Sequence, residues 1–118
     1  MRCFDTGKRK GKAIEVHHSQ GANIVHLLEK TRAYVATIYL DPDGVLGMHK
    51  ATEDQLFLVV SGHGQAIAGE QRCELSAGTG VLWKQGEYHE TRAGKEGLTA
   101  VVIEGDGLEQ ALAINRQP

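Results

Sequence analysis

The stretch Asp43-Gly44-Val45-Leu46-Gly47-Met48-His49-Lys50-Ala51-Thr52-Glu53-Asp54-Gln55, followed by the apolar run 56–60 and then Gly62, decides the fold. It has one answering stretch downstream, Gly78-Thr79-Gly80-Val81-Leu82-Trp83-Lys84-Gln85-Gly86-Glu87-Tyr88-His89. Each puts a histidine at the edge of a strand-like segment, with glycines at turn positions. Histidines far apart in sequence but on neighbouring strands can converge inside a small barrel. There they build a metal site or a polar pocket.

The surroundings of these two stretches are those of a β protein. Glycine is abundant, with 15 residues, and proline is scarce, with two, and the glycines fall at the spacing of short strands joined by tight turns. Segments 24–28 and 34–40 are rich in β-branched and aromatic residues. Asp41-Pro42-Asp43-Gly44 is a turn: proline presets φ, glycine tolerates positive φ, and the Asp side chains bond nearby backbone. Residues 56–60 form a continuous apolar run, as in a strand buried on both faces. Further strands are expected at 65–68, 72–75, 81–84, 89–92 and 98–104, with turns at 61–64 and 69–71. The tail, 107–115, reads as a short helix with Leu108 and Leu112 on one side. The expectation is one all-β domain over residues 1–118, a sandwich or barrel with a short C-terminal helix.

Composition excludes several classes. The net charge of −2 gives no basic face for nucleic acid. The cluster Lys8, Arg9, Lys10 and Lys12 reads as a solvated turn. No run approaches membrane-spanning length, and no apolar leader follows Met1. Cys3 and Cys73 lack metal or redox spacing, so they read as free thiols in a reducing compartment, and the protein as cytoplasmic. Strands apolar on both faces, such as 98–103, need a cover, and a second subunit supplies it, giving a homodimer.

The two motifs resemble those of the cupin family. The first cupin motif runs G-x5-H-x-H-x3,4-E-x6-G. Here His49 falls on the first His, Ala51 on the second, Gln55 on the Glu and Gly62 on the closing Gly, while Asp43 holds the opening Gly position. The second runs G-x5-P-x-G-x2-H-x3-N. Gly78, Gly86 and His89 match it, with Lys84 in place of Pro and Ala93 in place of Asn. The resemblance implies a jelly-roll barrel with a metal held by three His and one Glu. Carried over residue by residue, it leaves His49, Gln55 and His89 as metal ligands. Glu53 shares the parity of Gln55, so it either turns inward on a bent loop as a substitute carboxylate or general base, or stands exposed on that loop. The metal so implied is Fe, Mn, Ni, Cu or Zn, all of which accept imidazole. An amide in place of Glu removes the anionic donor, and the loss of one imidazole lowers affinity further.

Alternation assigns the lining. If His89 points inward so does Thr91, while Glu90 and Arg92 point out. Trp83 is a core filler or a pocket wall, Tyr39 and Tyr34 place hydroxyls at the pocket mouth, and Ala51 leaves space beside the ligands. His17, His18 and His63 read as surface or turn residues, and so does His26 despite its apolar neighbours. Three functions fit this pattern. The first is a metal-dependent enzyme resembling the cupin oxygenases. The second is a metal-free module binding a small organic molecule such as a sugar or carboxylate. The third is a metal-free isomerase or lyase using His89 as acid/base. Two close imidazoles repel when both are charged, so one of them should titrate below an ordinary histidine.

Overall fold

The computed structural model describes residues 1–116. Nine strands run through it: β1 (Arg2–Asp5), β2 (Lys12–Ala13), β3 (Asn23–Ile24), β4 (Tyr34–Leu40), β5 (Val45–Lys50), β6 (Asp54–Ala68), β7 (Gln71–Ser76), β8 (Thr79–Trp83) and β9 (Tyr88–Gly105). One helical turn, α1 (Leu108–Ala111), and 3-10 turns at Lys8–Lys10 and Ala113–Arg116 complete it. The fold is all-β, as the glycine spacing predicts, and it is the jelly roll that the cupin resemblance implies.

Two long strands organise everything. β6 and β9 pair antiparallel along most of their length, from Asp54↔Gly105 to Ile67↔Glu90. Their outer halves each recruit different neighbours. β8 joins β6 at residues 55–58 and β7 joins it at 63–68, while β4 joins β9 at 98–104 and β5 joins it at 88–92. The result is two facing layers: β1-β8-β6-β9-β4, and the far halves of β6 and β9 flanked by β7 and β5. Sequence reading expects 56–60 and 65–68 as separate strands, and likewise 89–92 and 98–104. They are continuous because a register shift between Val59 and Ser61 and another between Gly62 and Gly64 bend the ladder without ending it. Gly62 sits at φ +81° and its backbone lies directly against the Gly97 carbonyl, so the bend needs a residue with no Cβ there.

The core fills the space between the layers. Phe57, Val59, Ala66, Leu75, Val81, Trp83, Leu98, Ala100 and Val102 are buried there. A second cluster lies outside it, where Leu56 and Leu82 are covered by Leu108, Leu112 and Ile114 from the tail. The helix predicted over 107–115 therefore exists only as α1, because Leu112 turns extended (ψ 104°) and bridges to Leu28. Asp54 holds this corner: its Oδ1 accepts from the Gln85 amide (2.9 Å) and its Oδ2 from the Glu109 amide (3.2 Å). Segment 24–28 is a strand only at Asn23–Ile24, and its Leu27 and Leu28 pack under the tail instead. In the 41–44 turn the left-handed residue is Asp43 (φ +61°) and not the glycine beside it.

The thiol reading is corrected. Cys3 and Cys73 are joined as a disulfide across 70 residues, with their Cα atoms 6.5 Å apart. Spacing gave no sign of it because the pairing is set by topology. β1 is the edge of one layer and β7 the edge of the other, and the bond closes the sandwich along that side. The argument from free thiols to a reducing compartment falls with it. No helix among the described residues is long and apolar enough to cross a membrane.

Candidate functional site

Two rows of side chains face each other at one end of the barrel. On one layer, register places Trp83, Gln55, Glu104 and Tyr34 side by side across β8, β6, β9 and β4. On the other, β5 and β9 set His49 directly opposite His89. The register shift between Leu46 and His49 turns β5 so that both Leu46 and His49 reach inward. A cavity of about 240 Å³ lies between the rows, lined by Ala36, Thr37, Ile38, Leu46, His49, Gln55, Phe57, Val102 and Glu104.

The imidazoles converge as the motif spacing predicts. Their ring centroids are 4.3 Å apart with planes inclined at 56°. His89 is fully buried, and its other face stacks on Trp83 at 4.1 Å. Trp83 meets Phe57 edge-on at 5.5 Å. Of the two expected roles the tryptophan takes that of core filler: it lies in the main cluster, outside the cavity lining. His89 Nδ1 donates to the Glu87 carbonyl (3.2 Å) and His49 Nδ1 to the Gly47 carbonyl (2.6 Å). A carbonyl can only accept, so in each neutral ring the proton sits on Nδ1 and the lone pair on Nε2. Among the described residues, the buried side-chain atoms His89 Nε2, Trp83 Nε1 and Thr91 Oγ1 have no hydrogen-bond partner. Burial is the main force holding the His89 pKa below the ordinary histidine value. The hydrogen bond to Glu87 opposes it, and the charge of His49 adds a smaller push downward. The direction is the one expected from paired imidazoles, and desolvation leads the cause.

The remaining candidates divide. Gln55 is in the cavity wall and donates from Nε2 to Glu104 Oε1 (2.5 Å). Thr91 is buried on the same face as His89, while Glu90 and Arg92 turn outward and form an ion pair. Ala51 is buried but lines a separate surface depression with Lys50, Thr52, Gln85 and Gly86. Its amide donates to the Glu87 carbonyl (2.9 Å), the same carbonyl that accepts from His89 Nδ1. Tyr39 stands 72% exposed on the outer face, because inward positions of β4 fall on Ile38 and Leu40. Glu53 lines a neighbouring cavity of about 490 Å³ with Arg32, Ala33, Tyr34, Glu104, Gly105 and Asp106. His17, His18, His26 and His63 are exposed. Glu104 is the residue that sequence reading missed. It ends the 98–104 run and shares the inward parity of Ala100 and Val102, which is the one signal that marked it.

Solved structures repeat this arrangement of two layers around long shared strands. A cupin superfamily protein from Desulfitobacterium hafniense matches 69% of this chain and 74% of its own at 15% identity, with a TM-score of 0.59. The fold is that of the cupins. An RmlC-like cupin from Shewanella frigidimarina matches 75% of this chain and 74% of its own (16% identity, TM-score 0.58). A cupin-2 domain containing protein from the same organism matches 64% and 72% (22% identity, TM-score 0.54). No family model and no curated protein matches the sequence. At these identities the likeness is one of architecture, and cupin architecture carries no particular chemistry.

The cupin resemblance implies a metal held by four donor side chains. Of the four positions expected to supply ligands, two hold imidazoles, Ala51 has no donor, and Gln55 offers a neutral amide oxygen. Among the described residues no group of three His, Cys, Asp or Glu side chains could hold a metal ion. The three-His-one-Glu arrangement does not fit this chain.

Proposed function

We propose that the protein is a metal-free module that binds a small organic molecule in the barrel-end cavity, with His49, Gln55 and Glu104 as its polar contacts. The observation that carries this reading is the packing of His49 against the face of His89. The two rings lie 4.3 Å apart as part of an aromatic stack continued by Trp83. Of these rings only His49 lines the cavity, and the buried rings of His89 and Trp83 behind it hold it in place. The cavity, at about 240 Å³, falls below the usual 300–1,000 Å³ range for drug-sized ligands, so the ligand is small.

One observation favours a second reading, a divalent metal on His49, Gln55 and His89 supporting oxygenase-like chemistry. Both Nδ1 atoms are tied to carbonyls, leaving both Nε2 atoms free to ligate. Metal analysis of untagged protein separates the two. The metal-free reading expects Fe, Mn, Ni, Cu and Zn well below one per chain, and no rise in Tm on adding any of them. A near-stoichiometric metal, lost in the His49→Ala His89→Ala double variant, would overturn it.

We also propose that a second copy of this chain covers the outer face of the five-stranded layer. Val35, Tyr39 and Val60 are exposed there, and the edge strand β4 (YVATIYL) carries no charge or proline to discourage pairing.

A further inference from the structure

The polar groups that reach the barrel-end cavity have committed most of their hydrogens to the protein. His49 spends its proton on Gly47, so Nε2 is an acceptor. Gln55 turns its amide nitrogen to Glu104, because a carboxylate can only accept, and this fixes Oε1 as the free acceptor. Glu104 itself offers only lone pairs. Behind His49, the His89 Nε2 is bare for the same reason, fully buried and without a partner. Against this row stands only the second amide hydrogen of Gln55.

Charge points in the same direction as hydrogen-bond polarity. Glu104 is shared with the adjoining cavity of about 490 Å³, where Glu53 and Asp106 add two carboxylates against the single guanidinium of Arg32. Neither Glu53 nor Asp106 forms an ion pair within 4.0 Å among the described residues. A carboxylate or phosphate ligand would set lone pairs against lone pairs and negative charge against Glu104. Leaving those buried acceptors unpaired is more costly than leaving the same groups in water. A neutral polyol supplies donors but gains nothing from the three acids.

We propose that this site selects a small organic cation rich in N–H donors, an ammonium or guanidinium compound. Its head sits between His49, Gln55 and Glu104, and its chain extends toward Glu53 and Asp106. The proposal rests on the ligand-pocket reading above and replaces the earlier choice of sugar or carboxylate with a cation.

The test is isothermal titration of the full chain with three probes of similar size: agmatine, arabinose and succinate. The inference expects agmatine to bind, and to bind at least tenfold more weakly to Glu104→Gln. Glu53→Gln, an edge substitution that leaves the core untouched, should weaken it severalfold, and added salt should weaken it in the wild type. His49→Leu should weaken agmatine as well. Succinate or arabinose binding as well as agmatine, with His49→Leu abolishing it, would overturn the cation inference while leaving the ligand pocket standing. Agmatine binding unchanged in Glu104→Gln, Glu53→Gln and His49→Leu would overturn both, and so would the absence of binding by all three probes.

Discussion

His89 stays neutral because of where it stands. Trp83 closes one face and His49 the other, and the Glu87 carbonyl takes its only proton. The unfolded chain binds a second proton near the ordinary histidine value of 6.5, whereas the folded chain binds it only at lower pH. Between those two points the unfolded state holds more protons, so stability rises with pH and is lost as pH falls below 6.5. Urea unfolding followed across the acid side of neutrality should show this loss, no steeper than about 1.4 kcal/mol per pH unit from this one site. A His89→Phe variant, keeping the ring stack, should flatten it. A wild-type curve that does not change through that window would show that the imidazole is accessible to protons. Truncating the core ring behind His89, Trp83→Ala, should lower stability by about 3–5 kcal/mol in the same assay, because Trp83 is 1% exposed and sits in the main cluster. At this scale the motif spacing made His49, Gln55 and His89 legible, since glycines and histidines at fixed offsets are local facts. Glu104 was not, because it joins the site only through the register of β9 against β6, and register is a property of strands 49 residues apart.

The elements show the same division between local and distant causes. Alternation and turn residues marked most strands, but nothing nearby distinguishes a turn at 61–64 from a bend within one strand. The difference lies in what Gly62 meets, the carbonyl of Gly97 on β9. Gly62→Ala should therefore be strongly destabilising, toward the upper end of the usual 0.5–3 kcal/mol range for single substitutions. Gly47→Ala, where an added Cβ meets nothing within 4 Å, should change thermal stability little. Equal losses at the two positions would show that the close approach of β6 and β9 does not constrain the bend. The disulfide is another distant fact. Cys3→Ser should lower the stability of the oxidised protein by about 2–4 kcal/mol and leave the reduced protein nearly unchanged. Mass spectrometry after alkylation without reductant checks the pairing directly: two labelled cysteines would refute it.

For the whole molecule, composition and turn spacing announced an all-β fold, while assembly stays a matter of surface. Tyr39→Lys and Val35→Lys should turn a dimer into a monomer by light scattering and leave Tm largely intact, since both side chains are exposed in the isolated chain. A monomeric wild type would remove the second copy. The topology also has a bearing on biogenesis. Among the described residues β4 finds its only ladder partner at 98–104, with Tyr34 opposite Glu104, and β1 waits for β8. A ribosome adding roughly 5–20 residues per second would hold the uncharged YVATIYL segment without its neighbour for several seconds. In that interval nascent chains on one message are each other's nearest sources of a matching β4, so crowded translation favours premature strand exchange, and holding factors that bind short apolar peptides would raise the yield of native protein.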